Sequence, residues 1–321
     1  MTSIEANRVS VVVPSYNHER YIERCLRSIF RQKLRPDKLL VIDDGSSDGS
    51  VRVIERVLSD CPFSSELVAN SNKGLCATLN EGLERTSGDY FAYLGSDDLW
   101  LDGFLEARIK TLETRTAAVL AYGNAYLIDA DDRIFECTAD WSGFQFPDGD
   151  ARRMLYLGTA PVSSTVCYRR SALEKRQWNP LAKLEDYELY LQVVEDGDFA
   201  FDPAVLAAWR RHGENTSRDL SFMLTECLAA QERVAGPLGW GDKKLETIKS
   251  QTRFFYGEEF DRGGDRSKAR RLILSNLAGA PSLRILFRAV VRLLIPGSLL
   301  KWRRDADRDA SNERYGSIET N

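Results

Sequence analysis

Four short apolar runs, each set apart from the next by a segment of helical period, constrain this chain more than any other feature. They are VSVVV (residues 9–13), KLLVI (38–42), ELVAN (66–70) and YFAYL (90–94). The first two read as buried strands, ELVAN as a third, short strand and YFAYL as a fourth. Between the first two, YIERCLRSIFRQ puts Ile22, Cys25, Leu26, Ile29 and Phe30 on one helical face and arginines on the other. A second helix carries Val51, Ile54, Val57 and Leu58, and a third carries Leu75, Leu79 and Leu83; LDGFLEARIKTLET predicts a fourth. Parallel neighbours need a crossover, and strand–helix alternation through residue 115 supplies one each time. The fold class expected is α/β, Rossmann-like, with a mostly parallel central sheet.

After residue 116 the pattern loosens. AAVLAYGNAYLID and SSTVCYRR predict strands, EDYELYLQVV a helix, and FAFDPAVLAAWRRH a strand, a turn and a strand. From residue 219 to about 304 the chain reads as helical, a C-terminal helical extension, and 305–321 as a loose polar tail. The expected division is a domain over 1–217, a helical region over 218–304 and the tail. MTSIEANRVS lacks the basic start and apolar stretch of a signal peptide, so a cytoplasmic location is expected. Six cysteines without a CxxC spacing read as reduced thiols, not as a zinc site or a disulfide framework.

Charge separates one region from the rest. The formal net charge of −4 gives no basis for a nucleic-acid partner. Yet residues 266–304 hold ten Lys or Arg and no Asp or Glu. Within 281–304, Arg284, Arg288 and Arg292 recur every four residues among leucine, valine, isoleucine and phenylalanine, ahead of Pro296, Lys301, Arg303 and Arg304. No window reaches about 18 uninterrupted apolar residues, so no segment should span a bilayer. A short helix of this composition suits an anionic membrane surface, peripheral on the inner face of the cell membrane. The competing reading is a helix packed on the rest of the protein with its arginines in solvent.

Two acidic pairs end two of the apolar runs: Asp43–Asp44 in VIDDGSSDGS and Asp97–Asp98 in YLGSDDLW. Adjacent like charges repel, and ligands of parallel α/β sheets bind outside the carboxyl ends of the strands. Of Asp97 and Asp98, one carboxylate could take a ligand hydroxyl while the other holds a divalent cation, Mg²⁺ or Mn²⁺, shared with substrate phosphates. Capping of the following helices would also use Asp and Ser. Neither GxGxxG nor GxxxxGK[ST] follows the first strand, which removes the dinucleotide fingerprint and the P-loop.

In order and spacing, VSVVVPSYNHERYIERCLRSIFRQ, VIDDGSSDGS, NSNKGLCATLNEGL and GDYFAYLGSDDLW resemble the N-terminal half of a family 2 glycosyltransferase with the GT-A fold. The resemblance is dense over residues 9–115 and continues through LEDYELYLQ and WRRHGENTS to about 217. It implies that Pro14, Ser15 and Tyr16 line the base pocket, that Asp44 reads the base edge, and that Lys73 lies near the nucleotide. It implies further that Asp97 approaches the ribose and that Asp98 binds the metal, with His212 completing that site or contacting the diphosphate. S-D-D stands here where the family commonly has D-x-D-D, one carboxylate fewer. Among Glu185, Asp186 and Glu188, acids in a first helical turn, the resemblance selects Asp186 as catalytic base with Glu185 next. His18 reads as a helix-entry residue, and Trp100 and Trp141 as core.

The function expected is inverting transfer of a sugar from a nucleoside-diphosphate sugar to a hydroxyl acceptor, a glycan or lipid-linked glycan of polysaccharide assembly. Two other classes stay open: Mg²⁺-dependent phosphoryl or nucleotidyl transfer, and a non-catalytic nucleotide-sugar-binding scaffold.

Overall fold

All four apolar runs become strands of one sheet in the computed structural model, which describes residues 9–141, 150–211, 219–295 and 316–318. β1 (Val9–Ser15), β2 (Lys38–Asp43), β3 (Ser65–Ala69) and β4 (Tyr90–Tyr93) alternate with α1 (Ile22–Phe30), α2 (Ser50–Leu58) and α3 (Leu75–Glu84). β1 lies between β2 and β4, β3 borders β2, and each of these pairings is parallel. Successive side chains on a strand face opposite ways, so β1 feeds two cores. Val9, Val11 and Val13 pack with Ile22, Leu26 and Ile29 of α1 and with Ile54 and Val57 of α2. Val12 faces the other side, with Leu79 and Leu83 of α3.

The parallel run ends at β4. There follow β5 (Leu99–Trp100), α4 (Phe104–Thr114), β6 (Ala118–Ile128), β7 (Ile134–Cys137), α5 (Arg152–Leu155), β8 (Cys167–Arg169), α6 (Arg170–Leu173), α7 (Glu185–Val193) and β9 (Asp198–Arg210). The sheet order is β3-β2-β1-β4-β8-β6-β9-β5, with β7 on β6. β8 runs antiparallel to β4 and β6, whereas β6 and β9 are parallel. The strand, turn and strand expected over 199–212 are one strand, β9, whose register against β6 shifts near Gly123 and Asn124. Pro203 brings no N–H to the ladder; Asp202 accepts the Ala204 N–H at 3.0 Å and Asn124 donates to the Pro203 carbonyl at 2.8 Å. The irregularity is thus absorbed as a bulge, and the chain keeps its direction.

α8 (Leu220–Ala235), α9 (Asp242–Gly263), α10 (Arg266–Ser275) and α11 (Leu283–Leu294) form the expected helical region. Asp219, Asp265 and Ser282 cap α8, α10 and α11 by accepting first-turn N–H groups. Cys227, Ala230, Val234, Ile248 and Phe254 join the same core as Tyr190 and Leu191 of α7, so these helices cover one face of the sheet.

α11 corrects the expectation for its arginines. Arg288 pairs with Glu258 at 3.1 Å and Arg292 with the buried Asp261 at 2.5 Å, both acids lying on α9. Ala289 and Leu293 are buried, which leaves Leu283, Phe287 and Leu294 at 84%, 72% and 79% exposure, with Val291 on the same stripe. The outward face is therefore apolar, and the arginines at 288 and 292 brace the helix against its neighbour. Lys301, Arg303 and Arg304 lie outside the described residues. The polar tail also departs from expectation: Ser317 bridges Arg133 in antiparallel fashion.

Candidate active site

Loops leaving β1, β2, β3 and β4 meet beyond the carboxyl ends of the strands. Asn17, in the left-handed region at φ 53°, accepts the Ser47 N–H, while its own N–H donates to Ser46 Oγ. Asp43 accepts both the N–H and the hydroxyl of Ser46. Gly45 has φ +81°, and a Cβ there would sit 2.7 Å from the Asn72 nitrogen, so only glycine lets the loop after β3 come this close. Asp44 is buried and accepts the N–H groups of Lys73 and Gly74, each at 2.9 Å. It clamps the Lys73 loop with both carboxylate oxygens. Lys73 Nζ pairs with Glu81, which also binds Asn70 and Arg85. Pro14 and Ser15 are buried within β1, whereas the Tyr16 ring is about half exposed, 49%.

Asp97 and Asp98 follow β4 after Leu94, Gly95 and Ser96. Asp98 is buried, and its Oδ1 accepts the Arg210 N–H at 2.8 Å. The Arg210 guanidinium donates to the carbonyls of Asp97 and Asp129, both at 2.7 Å, and pairs with Asp132, which also pairs with Arg24. His18 Nδ1 lies 2.7 Å from Ser96 Oγ and 3.9 Å from Asp97 Oδ1. The His18 carbonyl does open α1, as its position suggested, by accepting from Tyr21 and Ile22. Its ring, however, belongs to this site, and so does Arg210; neither role was read from the sequence. The signal available for His18 was its place in the loop after the first strand.

The two carboxylates converge. A Cβ at Gly95 would lie 3.2 Å from Asp97 Oδ1 and 3.4 Å from Asp98 Oδ2, so both oxygens border the space over that bare glycine. Burial, and then the charge of Asp97, pushes the Asp98 carboxyl well above the usual range. A hard divalent cation relieves that combination. Among the described residues no three or more His, Cys, Asp or Glu are grouped to hold an ion. The described residues would thus offer two carboxylates to an ion shared with phosphate and water, the habit of Mg²⁺ at phosphate sites. The residues present fit such an ion. His212, expected as a further ligand, lies outside the described residues.

The second group of acids opens α7. Glu185 and Asp186 are half-buried in its first turn, where the helix dipole favours negative charge, and Asp186 accepts the Tyr187 N–H at 2.6 Å. The segment before α7 is pinned to α3: the Cys76 thiol donates to the Ala182 carbonyl at 3.8 Å, and Asn80 and Trp178 exchange two hydrogen bonds. Burial pushes Asp186 up to about 6. Burial, with the charge of Asp186 added, pushes Glu185 up to about 8. Both act electrostatically on the hydroxyl of Tyr93, the last residue of β4, and with the preceding segment pinned to α3 they lie on the α3 side of the sheet. Glu188 is different: it is buried and satisfied by Asn179 and Arg233, each at 2.7 Å. Trp100 is core as expected, stacked on Phe104 at 4.2 Å with its indole N–H on the Ser164 carbonyl. Trp141 is half-buried, its indole donating to Glu136 at 2.6 Å.

Comparison with known proteins places this geometry. The sequence model for "Glycosyl transferase family 2" matches residues 10–176, which include every strand of the parallel run and both acidic pairs. An uncharacterized glycosyltransferase of Nostoc sp. is 28% identical over 171 residues, 52% of this chain and 52% of that one, so the chain spans about half that relative's length. The Escherichia coli UDP-Glc:alpha-D-GlcNAc-diphosphoundecaprenol beta-1,3-glucosyltransferase WfgD is 29% identical over 194 residues, 60% of this chain and 72% of that one. Among solved structures, the mannosyltransferase PcManGT from Pyrobaculum calidifontis, in complex with GDP-Man and Mn²⁺, superposes with a TM-score of 0.61 at 16% identity, covering 95% of this chain and 86% of that one. Phosphoryl or nucleotidyl transfer has no counterpart among these relatives. The chain belongs to glycosyl transferase family 2 and has the GT-A fold.

Proposed function

We propose that this protein is an inverting glycosyltransferase that moves a sugar from a nucleoside-diphosphate sugar to a hydroxyl of a lipid-linked glycan. The observation that carries the reading is the convergence of Asp97 and Asp98 over the bare Gly95 beyond β4, with Glu185 and Asp186 opening α7 as a second acidic group. Asp97 and Asp98 would hold Mg²⁺ or Mn²⁺, which when bound offsets charge on the departing diphosphate. Tyr16 offers a ring face to the base, and Asp44 fixes the loop that closes the nucleotide side. Asp186 takes the proton of the acceptor hydroxyl as that oxygen attacks the anomeric carbon from the face opposite the diphosphate. A single displacement inverts that centre, by the logic of inverting sugar hydrolysis. WfgD, by its name, uses UDP-Glc and a diphosphoundecaprenol-linked sugar; that chemistry supports the choice of acceptor class.

Incubation with UDP- and GDP-sugars, a lipid-diphosphate-sugar acceptor panel and Mn²⁺ tests the reading by mass spectrometry. One donor–acceptor pair should yield product of inverted anomeric configuration, lost on chelation. No transfer and no donor hydrolysis across the panel would instead favour a binding scaffold.

The acceptor class also predicts where the enzyme works. We infer that the stripe Leu283, Phe287, Val291 and Leu294 rests on the inner face of the cell membrane. The exposed Arg284 at the start of the same helix suits anionic headgroups. Because Arg288 and Arg292 are already paired with α9, attachment should depend more on apolar contact than on charge. In co-sedimentation with anionic liposomes, a Phe287→Asp, Leu294→Asp variant should stay in solution. Raising salt from about 0.1 M to 1 M, which shortens the screening length about threefold, should weaken binding only in part. Binding that survives the double substitution would remove this surface.

A further inference from the structure

Residues 316–318 close a path that ends at Asp98. The Ile318 N–H donates to the Asp132 carbonyl at 3.1 Å, and the Gly316 carbonyl accepts the Ile134 N–H at 2.9 Å. These bonds zip the three residues along the turn between β6 and β7. Inside that turn, Asp129 Oδ1 accepts the N–H groups of Asp131 and Arg133. Asp132 has φ +63°, a left-handed conformation that a non-glycine residue keeps only where its surroundings hold it. Its buried carboxylate lies between Arg24 and Arg210, and its carbonyl is the group that Ile318 engages. Arg210 in turn divides its contacts between Asp129 and Asp132 on one side and Asp97 and Asp98 on the other. A second path runs through packing: the Ile318 side chain joins Leu99, Ile128 and Ala208, and Leu99 follows Asp98 directly.

We propose that segment 316–318 is a positioning strand of the donor site, holding Asp98 in place through Asp132 and Arg210. The proposal rests on the reading of Asp97 and Asp98 as the cation-holding pair. The segment reaches no ligand itself and adds nothing to either of the two large cores. Its loss should therefore leave the fold standing and loosen one corner. Outer-shell partners of metal ligands commonly change affinity by about 10–100-fold, and a partner two steps further out should sit near the lower figure.

Two variants test this: the chain ending at residue 315, and Ile318→Pro, which removes the N–H that reaches Asp132. Calorimetry with UDP or GDP plus Mn²⁺ should show affinity about tenfold weaker in both. Hydrogen exchange should quicken over residues 129–134 and 207–211 alone, and a peptide spanning 313–321 should restore part of the protection in the shortened chain. Unchanged exchange and affinity would overturn the proposal, and so would faster exchange spread over the whole sheet, which would mark a general stabilising role. Should the full chain bind neither nucleotide, the donor reading fails, and the exchange pattern decides on the strand by itself.

Discussion

Replacing Asp186 with asparagine is expected to cut sugar transfer by at least about a hundredfold while leaving nucleotide binding in place, the scale usual for loss of a general base. Asparagine keeps the shape and an acceptor oxygen for the Tyr187 N–H but takes no proton. Glu185→Gln should cost less, because Glu185, pushed up to about 8, still holds its proton where Asp186 ionises. The pH profile gives the sign. Asp186, pushed up to about 6, must be ionised to accept a proton, so the rate should rise as pH climbs through that value. The titratable groups facing the pair are Cys76 on α3, Tyr93 on β4, Tyr168 on β8, Tyr190 on α7 and Cys227 on α8, and burial raises every one of them. All five stay neutral in this range, so the limb belongs to the acid pair. Stability should run the other way. Both carboxyls hold protons more tightly folded than unfolded, so stability falls as pH rises from about 4, the unfolded value, towards about 8. Glu185→Gln should flatten that fall in thermal unfolding. Normal transfer by Asp186→Asn with a dead Glu185→Gln would exchange the two roles.

Asp98→Asn should lower Mn²⁺-dependent affinity for UDP or GDP by at least about a hundredfold, since it removes one of the two carboxylates that the described residues offer to the ion. Asparagine is preferred to alanine because Asp98 Oδ1 also accepts the buried Arg210 N–H, and a bare donor there would add its own cost. Cation-independent nucleotide contacts, through Tyr16 and the loop that Asp44 clamps, should survive. Calorimetry with and without Mn²⁺ separates the two. Equal loss in both conditions would mean that Asp98 holds the framework only.

Much of this arrangement was legible in the chain. The four strands and their helices were readable because β-branched runs and helical stripes are local patterns, and the acidic pairs because strand ends are where ligands of such sheets gather. What escaped depends on partners far away in sequence. Asp202-Pro203 looks like a turn, and only the pairing of both halves of β9 with β6 shows a bulge. The arginine stripe of α11 was visible, but not that Glu258 and Asp261 would meet two of its members. Glu188 shares a first turn with Glu185 and Asp186, yet Asn179 and Arg233 occupy it. His18 was placed by its backbone role, which says nothing of where the ring points. Residues 316–318 are held by backbone pairing and one isoleucine, which make no apolar pattern to announce them.

The Arg210 clasp on Asp98 has a consequence for how the protein comes into being. The four parallel strands are contiguous in the chain, whereas 112 residues separate Asp98 from the arginine that fixes it. Closing so long a loop carries an entropic cost that neighbouring strands do not face, and contacts of that span form late. During synthesis the nucleotide-side loops can therefore settle while Asp98 still lacks its partner. A growing chain of this kind acquires the parallel half of its sheet early and the clasp on Asp98 near the end, once β9 has entered the sheet.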